Sequence, residues 1–158
     1  MTIATSGSLQ WDRLQRLSRH LLDDIDIRGL DGGGAEDWYV RRDIEATLLG
    51  HVLREGSEPQ IVVGEAGHGN STLMWSMHHA LRRHERQPLL VSATWLQRST
   101  DGTQITSAEG ITAAVTNRPG AVVLLDTADL LLHSASARVA VIDLITTLAR
   151  LGTPVVVT

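Results

Sequence analysis

Four short apolar runs, QIVVG (60–64), PLLVSA (88–93), AVVLLD (121–126) and TPVVVT (153–158), alternate with stretches whose apolar residues recur at helical spacing. Each run is apolar on both faces, as a strand covered on two sides must be. The intervening stretches predict helices over 70–86, 107–117 and 135–151, the last closed by Gly152 and Pro154. This alternation is the pattern of an α/β unit around a buried, mostly parallel sheet. Upstream, residues 8–24 place Leu9, Leu14, Leu17, Leu21 and Leu22 on one helical stripe, with Ser8 as the expected cap. A helix over 43–55 carries Ile44, Leu48, Val52 and Leu53 on one side and stops at Gly56. Between these two helices, RGLDGGGAED reads as a glycine-rich link. The expected organisation is an N-terminal helix and linker over 1–36 and an α/β domain over 37–158.

Composition narrows the classes. The 158 residues are 42% hydrophobic, enough for one well-filled core, and the net charge of -4 gives no reason to expect nucleic-acid binding. No run of about 18 apolar residues is present, so no membrane span is expected. The first residues lack the charged start and apolar stretch of a secretory signal, and cysteine is absent. A cytoplasmic protein is expected. All 14 basic residues are arginine.

The candidate chemistry sits in GEAGHGNST, Gly64 to Thr72. Its spacing is that of a phosphate-binding loop, G-x-x-x-x-G-K-[ST], with Asn70 where the lysine belongs. The loop runs from an apolar strand into a helix, where unpaired amides and the helix dipole favour an anion. Gly64, Gly67 and Gly69 let backbone amides approach a phosphate closely; Glu65, Ala66 and His68 fill the remaining loop positions. Ser71 supplies the hydroxyl that Mg²⁺ takes in such loops, with Thr72 beside it. The other reading of these residues is a glycine-rich turn in an unrelated α/β domain.

A second element is AVVLLDTAD. Four apolar residues lead to Asp126 at a strand end, where a carboxylate can hold Mg²⁺ through water, and Asp129 follows three residues on, placed to polarise an attacking water. Alone, Asp126 is equally a helix cap. Together, in this order and with one extra strand between them, the two motifs point to a P-loop NTPase three-layer sandwich.

About 20 residues before the loop stands YVRRDIE. Its V-x-R-[DE]-x-E pattern resembles the entry segment of STAND-type signalling NTPases, the group that includes NACHT and NB-ARC domains, and of related AAA+ proteins. The resemblance covers about residues 37–158. It implies that the backbone at Val40 lies near adenine and that Arg42 helps to hold the nucleotide, ATP or ADP. It also implies that DTAD is the D-x-x-D form of the second motif, with Asp126 on the magnesium side and Asp129 in the catalytic position. VVVT resembles the strand that leads into the family's sensor residue. The resemblance implies a fourth strand between the phosphate-loop strand and the second-motif strand, with a fifth flanking the phosphate-loop strand. The fifth strand, sensor and winged-helix regions are absent, so the chain is expected to be the first part of a longer protein with a bare sheet edge.

Asn70 changes what such a site can do. The loop lysine acts as a point charge on the β- and γ-phosphates. Asparagine is neutral and shorter, a loss on the order of a hundredfold in affinity, and larger in transition-state stabilisation. The leading expectation is an ATP/ADP-binding switch module of a STAND-like signalling NTPase, deficient in hydrolysis, that associates with itself or with other domains. Two alternatives stand beside it: a degenerate interaction or oligomerisation module that binds no nucleotide, and a conventional AAA+ ATPase fragment. His78, His79 and His84 do not converge on one helical face and are expected to be solvated. Trp11, Trp75 and Trp95 are expected in packing roles, and Trp38 beside the adenine segment.

Overall fold

The computed structural model describes residues 3–28, 40, 42–54, 58–64, 69–98, 102–131 and 133–158. The elements are α1 (Ile3–Arg28), α2 (Asp43–Leu53), β1 (Gln60–Ile61), α3 (Asn70–Arg83), β2 (Gln87–Ser92), α4 (Ala108–Val115), β3 (Ala121–Asp126), α5 (Ala135–Arg150) and β4 (Val155–Val157). Short 3-10 turns follow β2 at Ala93–Leu96 and β3 at Ala128–Leu131. All four apolar runs contain strands and all five predicted helices are present. Of the proposed link RGLDGGGAED, Arg28 ends α1, and residues 29–37, with Trp38 after them, lie outside the described residues.

The strands form one parallel sheet in the order β1-β4-β3-β2. The fourth strand therefore lies between the phosphate-loop strand and the second-motif strand, as expected. Val122, Leu124 and Val156 face α2 and α3, packing with Val52, Leu73, Met77 and Leu81. Val123, Leu125, Val155 and Val157 face α4 and α5, packing with Ile111, Val141, Leu144 and Leu148. Residues that alternate along each strand thus feed two cores, and the result is a three-layer α/β sandwich. Each fully buried leucine contributes roughly 1.5–3 kcal/mol relative to exposure, so these layers dominate stability.

Helix α1 lies along the β2 edge and enters both cores, Leu14 on one side and Leu22 on the other. Ser18 is fully buried and its Oγ accepts the Leu90 amide at 3.0 Å. Gln15 Nε2 donates to Pro88 O at 3.1 Å. Pro88 has no amide to offer, so this edge presents few groups to pair, and α1 occupies them. The opposite edge differs. Among the described residues β1 pairs only with β4, and Ile61 and Val63 are largely exposed beside it.

Three local expectations are corrected. Helix α1 begins at Ile3, so Ser8 is inside the helix, and Leu9 points to solvent. The buried stripe runs through Trp11, Leu14, Ser18 and Leu22 because the helix lies against a strand edge that needs a polar partner. On α2, Ile44 is exposed and Glu45 takes its place inside, at 3% exposure. The histidines are not a solvated set either: His84 is exposed, but His78 is buried between α3 and its neighbours. Trp11, Trp75 and Trp95 are buried, in the packing roles expected.

Candidate functional site

The carboxyl ends of β3 and β4 and the amino end of α3 meet at Asp126. Ser71 Oγ, in the first turn of α3, donates to Asp126 Oδ2 at 2.7 Å. Thr158 Oγ1, just past β4, donates to Asp126 Oδ1 at 2.9 Å. The carboxylate is 7% exposed, and both its oxygens are engaged by hydroxyls. The parallel sheet creates this meeting: adjacent β3 and β4 finish side by side, with Leu125 paired to Val157. Ala128 N donates to Thr158 O at 2.7 Å, which ties the turn after β3 to the same strand end.

Thr127, immediately after Asp126, has φ 62°. A β-branched residue in the left-handed region is a strained one, at roughly 1–3 kcal/mol. Its hydroxyl holds the conformation by donating to Asp126 O at 2.6 Å and pairing with Ser92 Oγ at 3.1 Å.

The start of α3 is shaped by two glycines. Gly69 caps the helix at φ 77°, a conformation suited to glycine, and has no side chain to accept from the first amides. A Cβ there would collide with the Arg42 guanidinium, whose Nη2 lies against Gly69. A Cβ on Gly64 would stand 2.9 Å from Asn70 Oδ1, so the asparagine side chain folds over the end of the β1 segment. Arg42 is itself fixed from behind. Its amide donates to Glu45 Oε1 at 2.9 Å, and Ser76 Oγ on α3 donates to Glu45 Oε2 at 2.8 Å. Glu45 thus clamps the first turn of α2 to α3 and sets Arg42 at the helix start. Hydropathy gives no sign of this role; only the E of V-x-R-[DE]-x-E marked the position.

The structure brings Gly64, Gly69, Asn70, Ser71, Arg42 and Asp126 to one end of the sheet. Thr72 is close by, with Oγ1 3.8 Å from the position of a Cβ on Gly69. Val40 is 82% exposed. Asp129 is exposed on the turn after β3, and its side chain makes no hydrogen bond or ion pair among the described residues. Glu65, Ala66, Gly67 and His68 lie outside the described residues. Thr158 is the residue that sequence reasoning passed over, and Glu45 was marked only by its place in V-x-R-[DE]-x-E.

The residues present fit a nucleotide with Mg²⁺. Among the described residues no group of three or more His, Asp or Glu side chains could cage a metal alone. Mg²⁺ would not need one: it takes one or two protein oxygens and completes its shell with water and phosphate, and Ser71 Oγ and the Asp126 carboxylate are oxygens of the kind it would take. Gly64 and Gly69, where a Cβ would strike Asn70 and Arg42, let those two side chains lie directly against the backbone at the start of α3. A cleft of about 590 Å³ also opens at the opposite end of the strands, lined by Arg54, Arg86 and Gly152. Arg54 and Arg86 donate there to helix-end carbonyls of Gly50 and Leu53, which accounts for their positions.

No helix among the described residues is long and apolar enough to cross a membrane. No protein-family model and no curated protein matches the sequence. Among solved structures the chain is similar to AMPPCP-bound DnaA from Aquifex aeolicus, with a TM-score of 0.54 and 12% identity. The match covers 77% of this chain and 40% of that one, so the chain spans two-fifths of the length of that DnaA. At this identity the likeness is one of fold. With the four-stranded parallel sheet described above, it makes the fold that of a P-loop NTPase.

Proposed function

We propose that the chain is a nucleotide-binding switch module that takes ATP or ADP with Mg²⁺ at the amino end of α3, of the kind found in STAND-like signalling NTPases, and that it turns nucleotide over slowly or not at all. The observation that carries the reading is the 2.7 Å hydrogen bond between Ser71 and Asp126. It brings together the hydroxyl of one motif and the carboxylate of the other, which is the pair such a site needs for its metal.

Each residue then has a task. The Gly69–Ser71 backbone offers amides and a helix dipole to a phosphate. Ser71 and Asp126 would hold Mg²⁺, whose contribution when bound is to neutralise charge on the β- and γ-phosphates. Thr158 would keep the carboxylate oriented with Ser71 and Asp126 serving the metal. Asp129, exposed on the turn after β3, would orient water, and the Val40 backbone would border the base. Asn70 withholds the charge that builds the transition state, so binding outlasts turnover. That the solved relative was bound to AMPPCP supports a nucleotide as the ligand class. Self-association and contact with other domains are the expected outputs of nucleotide state.

The test is titration calorimetry with Mg-ATP and Mg-ADP on the natural chain and on Asn70→Lys. Binding by both, tighter for Asn70→Lys, is expected. Absence of binding by either folded chain sinks the reading and leaves an interaction module that needs no nucleotide. The likeness to DnaA favours a second reading, a conventional ATPase fragment; robust turnover by the natural chain would select it.

A further inference from the structure

We infer that the cleft at the amino ends of the strands is a second ligand site, which takes an oxyanion of two or more charges, a polyphosphate or a cluster of carboxylates. The inference is independent of the nucleotide reading: no residue of the phosphate loop or of the entry segment lines this cleft, nor does Asp126.

Three arginines line the cleft: Arg54, Arg86 and Arg118. The first two meet at the end of α2, where Arg54 Nε donates to Gly50 O at 3.1 Å and Arg86 Nη2 donates to Leu53 O at 3.0 Å. Arg54 Nη2 also lies 2.6 Å from His51 Nδ1. On the strand side, Arg86 Cδ stands 3.8 Å from the position of a Cβ on Gly120, two residues after Arg118. The Arg118 guanidinium lies over the Trp11 ring, 4.6 Å from its centroid. Stacking occupies the face of a guanidinium and leaves its N–H edge to donate. The capping bonds of Arg54 and Arg86 likewise leave further N–H groups on each fork. Among the described residues no ion pair neutralises any of the three, and no Asp or Glu lines the cleft. Glu85, beside Arg86 in the chain, is exposed and outside the lining.

Helix capping explains only part of this charge. Three helices present their carboxyl ends to the cleft, through Val52 of α2, Val115 of α4 and Leu151, which caps α5. Each such end carries roughly half a negative charge, about 1.5 in all, so three guanidinium groups leave a positive surplus. That surplus stands in a chain whose net charge is -4. Planar guanidinium forks match the paired oxygens of phosphates and carboxylates, which names the ligand chemistry. The shape admits a ligand as well. The loops into β3 and β4 reverse at Asn117, Gly120 and Gly152, whose φ values are 61°, 77° and 69°. Between them they leave a volume of about 590 Å³, the size of a small-molecule pocket.

The experiment is a titration followed by backbone amide NMR, which reports where a probe binds. Inorganic pyrophosphate and a triglutamate peptide are added separately to the natural chain, to Arg118→Gln and to Asn117→Asp, with the unfolding midpoint of each recorded. The Arg118 side chain holds no helix carbonyl, so its loss uncovers none. Asn117→Asp keeps a residue that tolerates positive φ and sets a negative charge at the cleft, so it tests the site should Arg118→Gln fail to fold. Saturable shifts of the Gly120 and Gly152 amides are expected with at least one probe, at a Kd of about 1 mM or tighter. The probe that produces them tells phosphate from carboxylate as the ligand group. Arg118→Gln should weaken this binding by about fivefold or more and Asn117→Asp by about threefold or more. No saturable shift at Gly120 and Gly152 with either probe overturns the inference, as does unchanged affinity in the folded variants. Shifts confined to Gly69 and Ser71 overturn it too, and would leave the phosphate loop as the anion site, with the nucleotide reading standing.

Discussion

Ser71 Oγ donates to Asp126 Oδ2 across 2.7 Å, joining two residues 55 positions apart in the chain. Thr158 completes the set from the neighbouring strand. The carboxylate is buried, so these two hydroxyls stand in for the water it has lost. Replacing Asp126 by alanine leaves both without their acceptor and is expected to lower stability by about 1–3 kcal/mol. Urea unfolding of Asp126→Ala measures this. An unchanged or raised midpoint would mean instead that the carboxylate is kept against the interest of folding, for its chemistry alone.

Ser18 gives the second expectation. Its Oγ is the acceptor for the Leu90 amide on the strand edge that α1 packs against, and both residues are fully buried. Ser18→Ala removes that acceptor without opening a path for water, and should cost about 1–3 kcal/mol. Faster hydrogen exchange at the Leu90 amide, relative to Leu124 in the centre of the sheet, is the specific sign. A loss of stability with no change at Leu90 would place the effect elsewhere.

These two residues also show where the sequence was readable. The strands and helices were legible because both-face apolar runs and 3.6-residue spacing report burial directly. Asp126 and Ser71 were legible because their motifs fix residue type and spacing. Ser18 was not, since a serine inside a leucine-rich stripe has no hydropathy signature, and its role exists only once a strand edge lies against it. Thr158 escaped for a related reason: its partnership with Asp126 follows from the order β1-β4-β3-β2, which places two strand ends side by side. The misplaced faces of Leu9, Ile44 and His78 have the same origin. Helical spacing defines a stripe, but the neighbours decide which edge of it is covered.

Gly69 and Gly152 form a natural comparison. Both have positive φ, 77° and 69°, so alanine at either is strained by about 1–2 kcal/mol. Around Gly152 nothing lies within 4 Å of the added Cβ, whereas at Gly69 it meets the Arg42 guanidinium. Gly152→Ala is expected to lower the unfolding midpoint and leave Mg-ADP affinity unchanged. Gly69→Ala should lower both, by on the order of tenfold or more in affinity, as Arg42 is displaced from the helix start. Equal affinities for the two variants in calorimetry would separate Gly69 from the binding site.

His78 sets the pH dependence of the fold. Burial, with smaller contributions from His79 and Arg82, lowers its pKa from the ordinary 6.5 to about 4, and its Nδ1 has no hydrogen-bond partner among the described residues. The folded state therefore resists a proton that the unfolded chain accepts. This term of stability is fully present above pH 6.5 and is lost as pH falls through that value toward 4. Between about pH 7.5 and about pH 5 the loss attributable to His78 is about 2 kcal/mol. His78→Leu has a similar volume, no proton to gain and no orphaned nitrogen. Urea unfolding of both chains at the two pH values is the measurement, and the variant should show a shallower fall than the natural chain by that amount. Parallel curves would mean that His78 reaches solvent before it titrates, and that another group governs the acid limb.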